Sequence, residues 1–445
     1  MSPEKEVTVV GAGLAGCEAA WQLAERGVPV ALVEMKPLHR SPAHDDDGMA
    51  ELVCSNSLRG ASTSNAVGLL KEELRRLGSL LMRCADATAV PAGRALAVDR
   101  RAFSRAVEGA IASHPAIRVV RRIQEGLPAD GAAIVASGPL TGGRLAEDLS
   151  RRGAMLAYHD AIAPLLAADS IDRSIVFAAD RHEPPNGENE PAYLNCSFDE
   201  PSYRRFVAEL IAADKTPLRD FERAPFFEGC LPVEEMAARG PLTLAHGPLK
   251  PIGLADPRSK KRPFAVAQLR PENAARSAYN LVGFQTRLTR PEQRRVLRMI
   301  PGLERASFER FGQVHRNSFV CAPEALDDRM RLRGASGVRL AGQLTGVEGY
   351  VESIASGWLS GLLAAAEAGG GTIEPPPPET AIGGLYRHTR RGAGSYQPSN
   401  VVWSMIETER RRRGEKKREQ RARAARRALE RLDEWIDARF APSGL

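Results

Sequence analysis

Residues 6–34, EVTVVGAGLAGCEAAWQLAERGVPVALVE, leave little freedom of fold. A short β-branched run, Val7 to Val10, ends on Gly11-Ala12-Gly13-Leu14-Ala15-Gly16. A helix-forming stretch follows, closes at Gly27, and gives way to a second β-branched run. This is a βαβ unit near the start of the chain. In the G-x-G-x-x-G spacing, Gly11 permits the tight turn and Gly13 lets the backbone approach a pyrophosphate. Gly16 lets the helix pack closely on the strand. The helix N-terminus offers free N–H groups and a positive dipole end to that anion. Glu34, at the end of the second strand, is placed to accept hydrogen bonds from a ribose diol. An acid at this point fits an unphosphorylated ribose and is compatible with either FAD or NAD.

A second strand–glycine–helix pattern lies far along the chain, in LAGQLTGVEGYVES (340–353). It predicts a helix N-terminus around Gly346–Gly349, facing a ring system held by the first unit. A reduced flavin carries negative charge near N1 and O2, which a helix N-terminus stabilises. A nucleotide site at one end of the chain and a ring site at the other suit FAD. The expected cofactor-binding set is Gly11, Ala12, Gly13, Leu14, Ala15, Gly16, Glu34, Gly342, Gln343, Gly346, Val347, Glu348, Gly349 and Tyr350. Many flavoproteins carry Gly-Asp where this chain has Gly342-Gln343.

These patterns predict an α/β fold: a Rossmann-like FAD-binding domain, discontinuous in sequence, with an inserted α/β domain and a basic C-terminal helix. The expected boundaries are 1–145 and 316–372 for the two parts of the FAD-binding domain and 146–315 for the insertion. Residues 373–445 are expected to form a proline-rich linker, from IEPPPPET, and a basic helical tail. RHEPPNGENEP (181–191) is expected to be a loop within the insertion.

Net charge is +7 over 445 residues, but residues 410–431 alone hold twelve Lys/Arg against three Glu. The basic excess belongs to the tail, which suits phosphate contacts, with a solvated surface helix as the alternative. No stretch approaches the ~18 apolar residues of a membrane span, and the first ten residues lack the plan of a signal peptide. The six cysteines are scattered without a C-x-x-C, which indicates neither a disulfide framework nor a zinc site. A cytoplasmic setting without a bound metal is expected. Asp45–Asp47 reads as a solvated loop.

Long motifs in order along the chain carry a closer resemblance. VVGAGLAGCEAAWQLAERGV, VEMKP, SPAH, AELVCSNSLR, AVGLLKEEL, VPAGRALAVDR, FFEGCLPVEEMAARG, GPLKPIGL, YNLVGFQTRL, MIPGLE, HRNSF and AGQLTGVEGYVES span residues 6–365. Together they resemble the TrmFO family, folate- and FAD-dependent tRNA (uracil-5-)-methyltransferases related to GidA-type tRNA-modifying flavoproteins. The resemblance implies that the carbon of methylenetetrahydrofolate passes to C5 of a uridine in the tRNA T-loop, with NAD(P)H reducing the flavin. It implies tRNA, folate and nicotinamide as partners, with no membrane and no obligatory protein partner. The same chemistry on a ribosomal RNA uridine, or a flavin oxidoreductase acting on a small molecule, are the alternatives. The motif SYQPSNVVWSMIE in the tail departs from the family pattern after its YQP and NV.

The resemblance also implies that Cys54 and Cys230 are functional. Uracil C5 is a poor nucleophile, and a thiolate adding at C6 turns it into an enolate. Such chemistry needs one activated thiol and one group to remove the C5 proton. Cys230 is assigned as the attacking thiolate, since it precedes an expected helix whose dipole would favour ionisation. Cys54, in a small-residue loop, is assigned the proton. Cys17, Cys84, Cys196 and Cys321 are expected to pack. His315, in HRNSF, is implied at the folate site, with Arg316 and Asn317 beside it. Lys250 and Arg287 are expected to bind the acidic folate tail or RNA phosphate, with surface salt bridges as the alternative.

Overall fold

A computed structural model describes residues 6–153, 155–181, 191–217, 226–257, 262–335, 337–390 and 396–440. Most of the loop expected at 181–191 and the first five residues lie outside them. Val7–Val10 is flanked by Val30–Glu34 on one side and Ala133–Val135 on the other. Ile117–Arg121 and Val338–Leu340 extend this sheet at its two edges, and every pairing is parallel. Its inner strands are buried on both faces and read as near-continuous apolar runs, as parallel strands covered by helices do. The edge strand at 338–340 returns to this sheet after an excursion of some two hundred residues and pairs the backbone N–H and C=O groups that Ala133–Val135 would otherwise leave open.

That excursion builds a second sheet of six short strands, Leu165–Ala167, Phe177–Ala178, Leu194–Phe198, Ala265–Pro271, Ala278–Leu281 and Phe308–Arg310. Helices Glu200–Ala212 and Arg290–Leu297 accompany it. It has its own core, in which Phe198, Tyr203, Phe206 and Phe284 are buried. A long antiparallel pair, Met155–Ile162 with Gln313–Val320, joins the two bodies. The position expected as a boundary, 315/316, falls inside this pair.

Helix Leu14–Ala24 lies directly against the long helix Tyr350–Ala368. A Cβ on Gly357 would come within 2.2 Å of the Ala15 carbonyl oxygen, and one on Gly361 within 2.8 Å of that of Ala19. Contacts at 15/357 and 19/361 advance together, so the helices run parallel. The long helix has six more residues before this contact, and its N-terminus therefore projects ~9 Å further.

The tail departs from the expected linker. Helix Ala381–His388 is capped by the buried Glu73 carboxylate, which accepts from Ala381 N (2.7 Å) and Ile382 N (2.9 Å). Tyr396, Val401 and Ile406 enter the first core. The terminal helix Lys417–Phe440 buries Ala425, Ala428, Leu432 and Trp435, a stripe at helical spacing, against the same core. Trp435 meets the Trp358 ring edge-on at 6.4 Å and donates from Nε1 to Glu374 O at 3.2 Å. Trp435→Ala is expected to destabilise the protein by ~3–5 kcal/mol, read as a lower urea midpoint, and to make the terminal helix the first site of limited proteolysis.

Candidate active site

The first turn is built as a cradle. Gly11 has φ +95°, and a Cβ there would lie 2.6 Å from Ala136 O. A Cβ on Gly16 would lie 1.7 Å from Gly11 O, so only glycine lets the helix start this close to the strand. Gly13, the N-cap residue, has nothing within 4 Å of its Cβ position and faces open space. Ala12 N donates to Glu34 Oε2 at 2.7 Å and Lys36 N to Glu34 Oε1 at 2.9 Å. These bonds hold the carboxylate beside the turn, with lone pairs left on each oxygen for a ribose diol. Leu14 and Ala15 are buried where the first helix meets the long one.

The second glycine motif forms the other end. Gly342 has φ +71° and donates from its N–H to Ser356 Oγ at 3.1 Å. Gly346, at φ +78°, packs under the Tyr396 ring, and Val347 pairs with Ser399. Gly349, at φ +107°, is the N-cap of the long helix, and Tyr350 is its first residue. Two helix N-termini therefore point the same way from the sheet, offset along their common axis. An extended dinucleotide reaching from a pyrophosphate to its ring matches that offset.

Cys54 and Cys230 come together beside the end of the long helix. The Tyr350 hydroxyl accepts from Cys54 N (2.7 Å) and Ser55 N (3.1 Å). Arg310 donates to the carbonyls of Cys54 (2.9 Å) and Val53 (3.1 Å). Asn56, fully buried, donates to the carbonyls of Val98, Pro271 and Glu272 and accepts from Arg270 Nε at 3.1 Å. The small polar residues around Cys54 thus tie its loop to the second sheet and to the long helix. On the other side, Phe226 bridges His159 and Phe227 N donates to His159 O at 3.0 Å. That bridge carries the turn Glu228–Cys230 along the strand Met155–Ile162. There Cys230 lies beside Asp160, near enough to Cys54 for each sulfur to sense the same carboxylates.

Those carboxylates reverse the expected ionisation of Cys230. The adjoining helix, Val233–Ala238, has only six residues, and burial beside Asp160 pushes the thiol well above its ordinary range. Burial, then Asp160, pushes the Cys54 thiol up to about 12. Both thiols are protonated at neutral pH. Burial likewise raises Asp160 to about 6, and burial together with Asp160 raises Glu348 to about 7. Glu348 accepts from the Tyr158 hydroxyl and from Gln343 Nε2 (2.8 Å), which gives the residue in place of the usual aspartate a partner. Asn400 and Ser399, from the divergent tail, hold the Glu348 backbone through its carbonyl (2.7 Å) and N–H (3.0 Å).

Other expected residues separate into two groups. His315 and Asn317 share one face of their strand with this chamber, and Asn317 Nδ2 lies 3.5 Å from Asp160 Oδ2. Burial and then Arg310 lower the His315 pKa, leaving a neutral imidazole. Arg316 stands exposed on the opposite face, where strand alternation puts it. Arg287 is paired with Glu235 at 2.6 Å and lies over the Phe226 ring. Lys250 is exposed on the second body beside Arg181, which donates to its carbonyl. Cys17, Cys84, Cys196 and Cys321 are buried, and the Cys17 thiol donates to Ala12 O at 3.2 Å. Asp47 pairs with Arg40, and Asp45 reaches Arg310. Asp160 and Arg310 escaped sequence reasoning. The one local signal was an acid in the otherwise apolar strand end of YHDAIA.

The residues present fit a flavin dinucleotide. Asp160 Oδ1, His315 Nε2, Arg310 Nε and Glu352 Oε2 are buried around the chamber without a hydrogen-bond partner, and such groups are costly unless a bound molecule or water meets them. Gly16→Ala is expected to lower flavin retention by at least tenfold, read as the visible-to-ultraviolet absorbance ratio of the purified protein, because the new methyl must push the helix off the strand.

The family model described as glucose inhibited division protein A matches residues 6–372. A relative from Geobacter sulfurreducens, named methylenetetrahydrofolate–tRNA-(uracil-5-)-methyltransferase TrmFO, is 55% identical over 97% of this chain and 98% of its own length. One of the same name from Anaeromyxobacter dehalogenans is 52% identical over 99% and 98%. Among solved structures, GidA of Aquifex aeolicus superposes with a TM-score of 0.70 at 17% identity, covering 97% of this chain and 73% of that one, a likeness of fold. Identity at this level from one end to the other admits a single assignment: the chain belongs to the TrmFO group of the glucose inhibited division protein A family.

Proposed function

We propose that the protein methylates C5 of a tRNA uridine, taking the carbon from methylenetetrahydrofolate, with FAD in the two-helix cradle and NAD(P)H as reductant. The observation that carries this reading is the meeting of Cys54 and Cys230 at the N-terminal end of the long helix. A small-molecule oxidoreductase leaves the C-S-N-S and F-E-G-C motifs and the basic tail without a purpose. When bound, FAD supplies the reducing electrons and mediates the one-carbon transfer. Gly11, Ala12, Gly13, Leu14, Ala15 and Gly16 receive its pyrophosphate, Glu34 its ribose, and the Gly342–Tyr350 segment its ring.

Cys230 Sγ adds to C6 of the uracil and makes C5 nucleophilic. Cys54 is assigned the C5 proton. Its thiol, pushed up to about 12, is protonated at rest and must first pass its own proton to a neighbouring carboxylate, such as Glu348, before the sulfur can take the proton from C5. Neutral His315, with its unpartnered Nε2, offers a flat ring and one polar contact to the pterin. Asn317 lines the same face. Arg287 and Lys250 are assigned to anionic groups at the rim, Arg287 exchanging its Glu235 partner for them. The T-arm presents the uridine, no protein partner is required, and the cytoplasm keeps both thiols reduced. Among the described residues no helix is long and apolar enough to cross a membrane.

The exposed cations Arg410–Arg413 and Lys416–Arg418 follow directly on the segment that backs Glu348, and they meet RNA phosphates outside the reacting nucleotide. Replacing Arg411, Arg412, Lys416 and Lys417 by Ser is expected to raise KM for tRNA with kcat unchanged. The slope of log affinity against log salt should fall by ~0.7–0.9 per lost contact, measured by filter binding; an unchanged slope removes the tail from RNA binding.

The direct test supplies folate labelled in its methylene carbon, NADPH, and either tRNA or ribosomal RNA. Label is expected in 5-methyluridine of the tRNA T-arm. Label in ribosomal RNA alone, or NADPH consumption without labelled RNA, overturns the reading. Cys230→Ala is expected to abolish transfer while retaining FAD.

A further inference from the structure

The chamber poses a chemical problem that the two cysteines do not solve by themselves. Cys230 is held as a thiol, yet the attacking species is the thiolate. Among the described residues, the groups that shift Cys230 most include no cation, and Arg310 and Arg100 lie on the Cys54 side, where they bond the carbonyls of Cys54 and Leu52. What faces Cys230 is the Asp160 carboxyl.

We infer that Asp160 is the catalytic base that receives the Cys230 proton as the sulfur attacks the pyrimidine. This rests on the methyltransferase reading above. Asp160 is on the strand Met155–Ile162, two residues along from Tyr158, with Asn317 beside it. The bridge His159–Phe226 sets the Cys230 turn against it. Its Oδ1 is buried and has no hydrogen-bond partner, so a lone pair is free to take a proton without breaking a structural bond. In the step, the Cys230 S–H bond breaks and its proton goes to an Asp160 oxygen. The sulfur electron pair forms the S–C6 bond, and the C5–C6 π pair moves into the enolate of C5, C4 and O4. After C5 has gained its carbon and lost its proton, the S–C6 bond breaks and the proton returns from Asp160 to sulfur. Nothing is oxidised or reduced in either step.

The groups facing Asp160 keep it suited to this work. Tyr158 lies on its own strand, Glu348 on the approach to the long helix, Cys54 on its loop, Cys230 on its turn, and His315 and Asn317 on the paired strand. Among them Glu348 is the second carboxyl, and Asp160 helps to raise it. Burial brings Asp160 itself to about 6, against Cys230, the Ala161 N–H and Asn317, which lower it, so it is mostly ionised at neutral pH and can still hold a transferred proton. Once a uridine and folate cover the chamber, solvent base no longer reaches the thiol. The carboxylate is then the acceptor at hand.

The test uses the FAD-bound enzyme with Asp160→Asn and Asp160→Glu. Asparagine keeps the shape and cannot accept the proton. It is expected to lower kcat for methyl transfer ~10²-fold or more and to retain FAD, with partial rescue by glutamate. In the wild type, kcat is expected to rise with pH through about 6 as Asp160 ionises, and this limb should vanish in Asp160→Asn.

A readout without RNA or folate is the alkylation of Cys230 by iodoacetamide, followed at its peptide by mass spectrometry. In the wild type the rate should climb with pH and break near 6, where the ionised carboxylate starts to oppose the thiolate. In Asp160→Asn it should climb without that break and exceed the wild-type rate at neutral pH. A variant slower in methyl transfer yet faster in alkylation has lost a proton acceptor and not a fold. Asp160→Asn within threefold of wild-type kcat with its acid limb intact overturns the inference. Equal losses of kcat, alkylation and FAD in both variants overturn it too. If the wild type methylates no RNA, the functional reading falls, while the alkylation break still reports whether Asp160 and Cys230 are coupled.

Discussion

The architecture depends on the close parallel contact between the first helix and the long helix near the end of the flavoprotein core. Ala15 and Ala19 face Gly357 and Gly361 with no room for a methyl group between them. The pairs 15/357 and 19/361 fix a parallel orientation and an axial register, and that register sets where the two N-termini stand relative to each other. The nucleotide cradle and the ring end are therefore one rigid object, although three hundred residues separate their sequences. The edge strand Val338–Leu340 completes the same object by pairing with Ala133–Val135. The second body is carried on it through the antiparallel pair 155–162 and 313–320.

That pair also brings chemistry to the helix ends. Its register sets Tyr158, Asp160, His315 and Asn317 around the chamber, and the bridge at His159 adds Cys230. Asn56 and Arg310 draw in Cys54 from the other side. The result is a buried set of acids and thiols in which burial raises the proton affinity of Asp160, Glu348, Cys54 and Cys230, and Asp160 raises that of the other three further. A site of this kind stores protons at rest and moves them when a substrate enters. The unpartnered atoms of Asp160, His315, Arg310 and Glu352 belong to the same logic, being polar groups kept for a guest.

Legibility in the sequence followed the range of the interactions. The glycine turn, its strands and Glu34 were plain, because each rests on contacts within about thirty residues of chain. The second glycine helix was equally readable as a helix. The two cysteines were legible through the resemblance of their motifs, while their environment was not. The helix expected to favour the Cys230 thiolate is short and ends up outweighed by a carboxylate from another strand. Arg316 sat next to His315 in sequence and faces the other way in the strand. Lys250 is exposed on the second body, and Arg287 has a local acid for a partner. The tail, read as a proline-rich linker and a basic helix suited to phosphate, is half core: Tyr396, Val401 and Trp435 are buried with the first body.

By itself the sequence determined the nucleotide turn, the parallel sheet built on it, the positive tail and the family, since these follow from local spacing and composition. Tertiary structure alone decided which acid stands beside which thiol, and hence which proton can move. Proximity between residues far apart in the chain comes from strand register and helix contact, and the pKa of a buried group is set by those neighbours and by the water they exclude.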